Sequence, residues 1–134
     1  MAKLLDIEGI GPVYSEKLKN AGVKSVESLL KLGATPAGRE SIAEKAGIDK
    51  RLILEWVNRA DLFRIKGVAE EYSDLLEASG VDTVVELAQR NPENLLAKIL
   101  EVNAEKKLVR RVPTLNAIKD WIEQAKDLPR AIHY

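Results

Sequence analysis

The residues best suited to binding chemistry form a glycine turn near the start of the chain (residues 7–12). Gly9 and Gly11 flank the apolar Ile10, and Pro12 follows at once. Glycine accepts a positive φ and leaves backbone amides uncovered, and proline suits the first position of a helix. The pattern predicts a tight turn whose amides point outward from a helix N-terminus and can hold an anion. A β-branched residue in place of Gly11 is expected to resist the positive φ and to cover these amides.

Three lysines follow the glycine turn closely enough to assist it. They could flank a bound phosphate backbone, or they could form an ordinary solvated helix face. The turn itself has an alternative interpretation too, in which it only packs Ile10 between two helices. The candidate binding residues are Gly9, Ile10, Gly11, Val13, Lys17, Lys19 and Lys24.

A second basic group lies further along the chain, and its net charge from residue 98 to residue 111 is +3. Two basic pairs stand four residues apart, which predicts Lys106 beside Arg110 and Lys107 beside Arg111 on one helical face. This segment predicts a surface for nucleic acid or an acidic protein, with an ordinary exposed helix as the alternative. The basic segment consists of Lys98, Lys106, Lys107, Arg110 and Arg111.

Catalytic and metal chemistry find little support in the residues. The chain has no cysteine, so it has neither a disulfide frame nor a thiolate metal site. The single histidine, His133, has no companion ligands, and we expect no metal and no cofactor. Glu70 and Glu71 are adjacent and would point to different helix faces, unlike a catalytic pair. There is no phosphate loop of the nucleotide-binding kind. We expect a protein that is not an enzyme and has no small-molecule substrate.

The composition limits the class of protein. A chain of 134 residues suits one compact domain or two small halves. Because 21 basic residues balance 21 acidic ones, a strongly basic nucleic-acid binder is excluded, although a local basic patch is not. No apolar run reaches membrane-spanning length, and the first residues lack the apolar core of a signal peptide. We therefore expect a cytoplasmic protein without a membrane partner.

Helical spacing and turn residues predict an all-α fold without strands. Tyr14 and Leu18 recur at helical spacing, and Gly22 can end that helix. Trp56 and Trp121 fall in apolar stripes, so we expect both in the core. Six residues have the chemistry of a helix N-cap, namely Ser25, Thr35, Asp49, Thr83, Asn91 and Thr114.

The chain also repeats itself. A shift of 58 residues aligns positions 7–30 with 65–88, and a shift of 65 aligns Trp56 with Trp121. The second half then carries about seven extra residues, which we expect between Asn103 and Val112. The pattern predicts two copies of one helical unit, residues 1–62 and 63–134. We expect the copies to pack closely about a pseudo-two-fold axis, with about five short helices each.

The glycine turn resembles a known motif. Gly-Ile-Gly-Pro, followed by Tyr-Ser-Glu-Lys-Leu and then Ala-Gly-Val, is similar to the helix-hairpin-helix motif of DNA repair, recombination and replication proteins. The whole layout looks like an uncharacterised family of tandem helix-hairpin-helix domains. The resemblance is close over residues 7–30 and loose over residues 65–88. It implies that hairpin amides hold a nucleic-acid phosphate without reading sequence.

The chain departs from that pattern at several positions. Val13 stands where DNA-binding members often have a basic residue, and Glu8 places a carboxylate beside the turn. In the second copy Ala69 replaces the second glycine, and residues 63–88 have a net charge of −4. The second hairpin is therefore not expected to bind DNA.

Two functions of different classes follow from these features. The first is weak, sequence-independent binding of a DNA or RNA backbone through the first hairpin. The second is a protein–protein adaptor that retains the fold without binding DNA. The intact Gly-Ile-Gly-Pro favours nucleic acid, whereas zero net charge and the acidic second hairpin favour the adaptor.

Overall fold

The computed structural model describes residues 3–68 and 70–134, with the side chain of Glu70 also left out of the description. Every regular element in these ranges is helical, which confirms the prediction of an all-α fold. A short 3-10 helix, Leu4–Asp6, comes first. The α-helices are α1 (Pro12–Asn20), α2 (Val26–Leu32), α3 (Pro36–Ala46), α4 (Lys50–Leu62), α5 (Glu70–Ala78), α6 (Val84–Ala88), α7 (Pro92–Lys106) and α8 (Leu115–Asp127).

Side-chain caps start most of these helices where the sequence predicts them. The Ser25 hydroxyl accepts a hydrogen bond from the Ser28 amide at 3.0 Å, and Asp49 Oδ1 accepts one from the Arg51 amide at 2.9 Å. Such a bond satisfies an amide that has no acceptor inside the helix. Thr35, Thr83, Asn91 and Thr114 cap α3, α6, α7 and α8 in the same way.

The chain divides into two compact units. Unit 1 comprises Met1–Asp61 and Arg130–Tyr134, and unit 2 comprises Leu62–Pro129. The sequence alone places the last five residues in the second half, whereas they belong to unit 1. The described part of each unit holds four α-helices, and unit 1 adds the 3-10 helix, where about five helices were expected.

Hydrogen bonds explain why the last residues belong to unit 1. The guanidinium of Arg39 donates to the Gly33 carbonyl and to the His133 carbonyl, both at 2.9 Å. The His133 amide donates to the Ala34 carbonyl at 2.7 Å. The Ile132 side chain is buried beside these bonds, which adds apolar contact to the polar ones.

The core of unit 1 is mostly aliphatic and is built around Trp56 on α4. Helix α1 packs against α3 and the 3-10 helix, and α2 also packs against α3. Trp56 is only 2% exposed, and its ring lies 5.1 Å from that of Tyr14, centroid to centroid, at an angle of 59°. The predicted core position of Trp56 is therefore confirmed. Buried neighbours in unit 1 include Ile7, Leu18, Val23, Leu29, Ile42 and Ile53.

The core of unit 2 is built around Trp121 on α8. Helix α8 packs against α6 and α7, and α5 packs against α7. Trp121 is 3% exposed, and its ring lies 5.3 Å from that of Tyr72 at an angle of 52°. Its predicted core position is confirmed as well. The cluster also contains Leu76, Val81, Leu87, Leu95, Ile99 and Ile118.

Candidate functional site

The glycine turn is closed by its own backbone and lies against the core of unit 1. The Ile10 amide donates to the Ile7 carbonyl at 3.1 Å, and the Ile10 side chain is buried. Gly9 has a φ of +92°, which side-chain-bearing residues rarely adopt. A Cβ atom at Gly9 would also lie only 3.2 Å from Trp56 Nε1. Position 9 therefore requires glycine for its backbone conformation and has little room for a side chain.

Gly11 has a different role from the one that the sequence suggests. Its φ is −88° and its ψ is −176°, an extended conformation open to any residue. The expectation that Gly11 needs a positive φ is therefore wrong. A Cβ atom there would meet nothing within 4 Å. The absence of a side chain at Gly11 leaves open space in front of the helix rather than permitting a strained turn.

The N-terminus of α1 presents backbone donors that no residue in the described part of the chain accepts from. Gly11 is the N-cap, and it has no side chain to accept from the first turn of the helix. The Ser15 amide bonds to the Gly11 carbonyl at 2.9 Å, whereas no described residue accepts from the amides of Gly11, Val13 or Tyr14. These amides carry the positive end of the helix dipole. The turn thus both packs Ile10 and leaves three donors without an acceptor among the described residues.

The three candidate lysines do not all lie at this turn. Lys17 Nζ lies 5.8 Å from the centroid of the Tyr14 ring, one helical turn beyond the glycine turn. Lys19 and Lys24 line a cavity together with Lys3, and none of residues 9–11 lines it. Only Lys17 is therefore tied by an observed contact to a residue of the first turn of α1.

Charge differs between the two units. Unit 1 has 11 basic and 9 acidic residues, whereas unit 2 has 10 basic and 12 acidic residues. The exposed Glu8 adds a local negative charge beside the glycine turn. Unit 1 is therefore the more favourable half for an anion, although only by a small net charge.

The matching turn in unit 2 is described only in part. Gly67 has a φ of +95°, and a Cβ atom there would lie 3.0 Å from Trp121 Nε1. The Lys66 amide donates to Gln124 Oε1 at 2.8 Å, and Gln124 Nε2 donates to the Lys66 carbonyl at 3.1 Å. Ala69, which the sequence aligns with Gly11, lies outside the described residues.

The basic segment is not one helical face, so that prediction is wrong. Helix α7 ends at Lys106, and Lys107 caps it in the left-handed conformation with a φ of +51°. Asn103 then holds the loop, because its Nδ2 donates to the Val109 carbonyl at 3.1 Å and its Oδ1 accepts from the Val109 amide at 3.0 Å. Val109 is 7% exposed, so burial also favours the loop over a continued helix.

The basic side chains nevertheless remain on the surface. Tyr72 Oη donates to the Arg111 carbonyl at 2.9 Å, which holds the far end of the loop. Lys98 lies on the exposed face of α7. Lys106 is exposed at the last position of α7, and Lys107, Arg110 and Arg111 are exposed in the irregular loop that follows.

Other kinds of site find no support in the described part of the chain. No group of three or more histidine, aspartate and glutamate side chains there is arranged to hold a metal ion. His133 is exposed and uses its backbone for hydrogen bonds. None of the helices between residues 3 and 134, outside the gap at residue 69, is long and apolar enough to cross a membrane.

The chain was also compared with known proteins. No solved structure matches it. A family model does match residues 8–128, which include residues 8–12 of the glycine turn, all eight α-helices and the basic segment. The model is described as a domain of unknown function, DUF4332, and the chain belongs to this family.

Proposed function

We propose that the chain is a non-enzymatic binding module made of two helix-hairpin-helix units. Unit 1 binds the sugar-phosphate backbone of nucleic acid through the glycine turn, weakly and without reading sequence. Unit 2 retains the fold but does not bind nucleic acid through its own turn. The observation that carries the proposal is the set of free amides at the start of α1, with no side chain at Gly11 in front of them.

Parallel geometry in the two units supports the tandem arrangement. Gly9 and Gly67 share a positive φ, +92° and +95°, at aligned positions. In each unit the indole Nε1 of a tryptophan lies against that glycine. The same tryptophan packs on a tyrosine at nearly the same distance, 5.1 Å in unit 1 and 5.3 Å in unit 2. A sequence repeat and a repeated local contact together favour two copies of one unit.

The free amides of Gly11, Val13 and Tyr14 support phosphate as the ligand. Backbone amides at a helix N-terminus bind anions through hydrogen bonds and the helix dipole. Such contacts position a nucleic acid but do not distinguish its bases. With Lys17 the one candidate lysine tied to this turn, roughly one phosphate is neutralised, so log affinity should fall with log salt with a slope of about −1.

A protein partner is the alternative, and two observations favour it. Val13 is 68% exposed directly beside the free amides, and Leu5 in the same unit is 52% exposed. Exposed apolar side chains suit a protein contact better than a phosphate backbone. The acidic character of residues 63–88 also favours this alternative.

A matched pair of valine substitutions tests the proposal. Gly11→Val adds a β-branched side chain in front of the free amides, and its extended backbone accepts valine without strain. Ala37→Val makes a comparable change on the exposed first turn of α3, which also begins with a proline. A fluorescent duplex is titrated at low salt with the wild-type full chain and both variants, and circular dichroism confirms their folding.

We expect micromolar or weaker binding by the wild-type chain and by Ala37→Val, and no measurable binding by Gly11→Val. Equal binding by all three proteins would overturn the proposal. If binding is instead lost when Lys106, Lys107, Arg110 and Arg111 are neutralised together, the basic segment is the site. If the wild-type chain does not bind duplex at tens of micromolar protein, the adaptor is the better account.

A further inference from the structure

An exposed leucine lies in the middle of the basic segment of unit 2. Leu108 is 39% exposed, and it stands between two basic pairs, residues 106–107 and residues 110–111. Leu100 on α7 is 45% exposed. Among the described large apolar side chains of unit 2, these two leucines are the exposed ones. The segment therefore offers apolar surface as well as positive charge.

Asn103 connects the positions of the two leucines. Leu100 precedes Asn103 by three residues on α7, so their side chains are neighbours on one face of the helix. The Asn103 side chain holds the carbonyl and the amide of Val109 at 3.1 and 3.0 Å, and Leu108 is the residue directly before Val109. Both leucines are therefore next to Asn103, one on the helix and one in the loop.

The folded loop keeps Leu108 outside the core. Val109 is 7% exposed and takes the core position instead. Tyr72 Oη holds the far end of the loop at the Arg111 carbonyl, at 2.9 Å. Moving Leu108 into the place of Val109 would break both bonds to Asn103 and leave part-buried backbone groups unpaired. The loop thus presents an exposed leucine in a fixed position, and binding a partner requires little further ordering.

The four cations beside Leu108 have no ion pair with any described carboxylate. No acidic residue occurs from Lys106 to Lys119, whereas Glu101 and Glu105 on α7 reduce the net charge of residues 98–111 to +3. At physiological salt, charges separated by more than about 8 Å are largely screened. A partner that touches this loop therefore meets a local positive charge, even though the whole chain is neutral.

Charge and exposed leucine together favour an anionic lipid surface as the partner. A nucleic-acid backbone attracts cations, but its binding depends on charge and gains little from aliphatic side chains. A protein interface of ordinary size buries about 800 Å² on each partner around an apolar core, and two partly exposed leucines are too few for such a core. A bilayer needs no matching shape, because apolar side chains enter its headgroup boundary while anionic headgroups attract the cations.

We propose that the basic segment of unit 2 binds the surface of an anionic membrane. Leu108 enters the boundary between headgroups and acyl chains, Leu100 contacts the same surface, and the four cations lie among the headgroups. The contact is peripheral and reversible, and it needs no membrane-spanning helix. The expectation of no membrane partner considered spanning segments only. The proposal goes beyond nucleic-acid binding by unit 1 and does not depend on it.

Co-sedimentation of the full chain with lipid vesicles tests the proposal. One preparation contains phosphatidylcholine alone, and the other contains about one-third phosphatidylserine, which supplies the anionic surface. We expect binding to the phosphatidylserine vesicles only, and weaker binding as salt rises because salt screens the charges. Equal binding to both preparations, or binding to neither, would overturn the proposal.

A variant without the four cations tests the role of charge. Glutamine at positions 106, 107, 110 and 111 should weaken binding to phosphatidylserine vesicles by about a hundredfold or more, because each basic residue at such a surface contributes about fivefold. The matched control places glutamine at four exposed lysines elsewhere, namely Lys31, Lys45, Lys50 and Lys126, and should retain most of the binding. Circular dichroism confirms the folding of both variants. Equal losses in the two variants would overturn the proposal, because total charge would then explain the binding.

Leu108→Ser tests the apolar contact separately from the charges. Loss of the inserted side chain should weaken binding to phosphatidylserine vesicles roughly fivefold. Leu32→Ser, at a position of α2 that is 46% exposed, is the matched control and should bind as the wild type does. Equal binding by the two folded variants would overturn the insertion of Leu108.

Two further comparisons distinguish this site from the glycine turn and from nucleic acid. Gly11→Val should bind phosphatidylserine vesicles as the wild type does, because the loop belongs to unit 2. Loss of vesicle binding in this variant would overturn the proposal and indicate that headgroup phosphates bind at the glycine turn. The proposal also fails if the wild-type chain does not bind the vesicles while the variant without the four cations loses duplex binding, because the loop would then bind nucleic acid.

Discussion

Gly9 and Gly11 are equivalent in the sequence pattern but not in their backbone conformations. Gly9 has a φ of +92° and lies against Trp56, whereas Gly11 is extended with open space before it. The type of residue alone could not distinguish these roles, because glycine is compatible with both. The indole of Trp56 restricts the space at Gly9 and not at Gly11. It lies on a helix more than 40 residues further along the chain.

Alanine substitutions at these two positions should have unequal effects on stability. Gly9→Ala forces a Cβ atom into a left-handed backbone and close to Trp56 Nε1, so we expect a loss of about 1–3 kcal/mol in the free energy of unfolding. Gly11→Ala adds a side chain in open space, and its effect should stay within about 0.5 kcal/mol. Urea denaturation of both variants measures the difference, and equal losses would contradict these assignments.

At the scale of the element, helix starts are easier to predict than helix ends. A cap such as Thr35 needs only a side-chain oxygen and an amide three residues later, and both are local. The end of α7 depends instead on Asn103, whose side chain bonds to Val109 across the loop. The basic pairs at spacing four agree with a continued helix, so the sequence pattern favours the wrong structure there.

The location of the extra residues is better predicted than their conformation. Helix α7 has 15 residues where α3 has 11, and eight residues, 107–114, join α7 to α8 where three, 47–49, join α3 to α4. Most of the added length therefore falls in the interval from Asn103 to Val112 or next to it. Length differences between aligned segments can be counted from sequence, whereas loop hydrogen bonds cannot.

Asn103 should control the order of the basic loop. Asn103→Ala removes both hydrogen bonds to Val109 and leaves the part-buried carbonyl and amide of Val109 unpaired. We expect the free energy of unfolding to fall by about 1–3 kcal/mol. We expect faster hydrogen exchange at residues 107–112 and a lower unfolding midpoint. Asn116→Ala, on the exposed face of α8, is the control and should change neither. Unchanged exchange in the Asn103 variant would show that the loop is held by other contacts.

At the scale of the whole molecule, the sequence predicts two halves but not which half holds the last residues. The repeat defines where the second copy begins, and nothing in it concerns Arg130–Tyr134. The bond from Arg39 to the His133 carbonyl joins positions 94 residues apart. Burial also affects that arginine, because desolvation lowers the pKa of Arg39 from its usual range. A contact of this kind depends on the folded core and has no local sequence signal.

The candidate site could be predicted only in part, because some of its features are local and others depend on the folded core. Its glycine turn and the start of α1 are local features that the residue types indicate. The separation of Lys17 from Lys19 and Lys24 depends on how α1 packs against the 3-10 helix, and spacing alone does not show it. The cavity that Lys19 and Lys24 line was missed entirely, because its lining comes from three elements that no motif connects.

Nucleic-acid binding is proposed for unit 1 only. Unit 1 has a small excess of basic residues and unit 2 a small excess of acidic ones. Val13 in unit 1 aligns with Glu71 in unit 2, and both are exposed at the start of a helix. Changing the charge at position 13 therefore tests whether phosphate contacts the start of α1.

Opposite charges at position 13 give the most direct test of phosphate binding at the start of α1. Val13→Lys adds a cation beside the free amides, whereas Val13→Glu adds an anion that the helix dipole tolerates well, so folding is retained. Duplex titrations across salt concentrations should show tighter binding by Val13→Lys, with a slope steeper by about 0.9, and no measurable binding by Val13→Glu. Ala37→Lys and Ala37→Glu, on the first turn of α3, should differ little from the wild type. Duplex binding by Val13→Glu equal to that of the wild type would contradict phosphate binding at the start of α1.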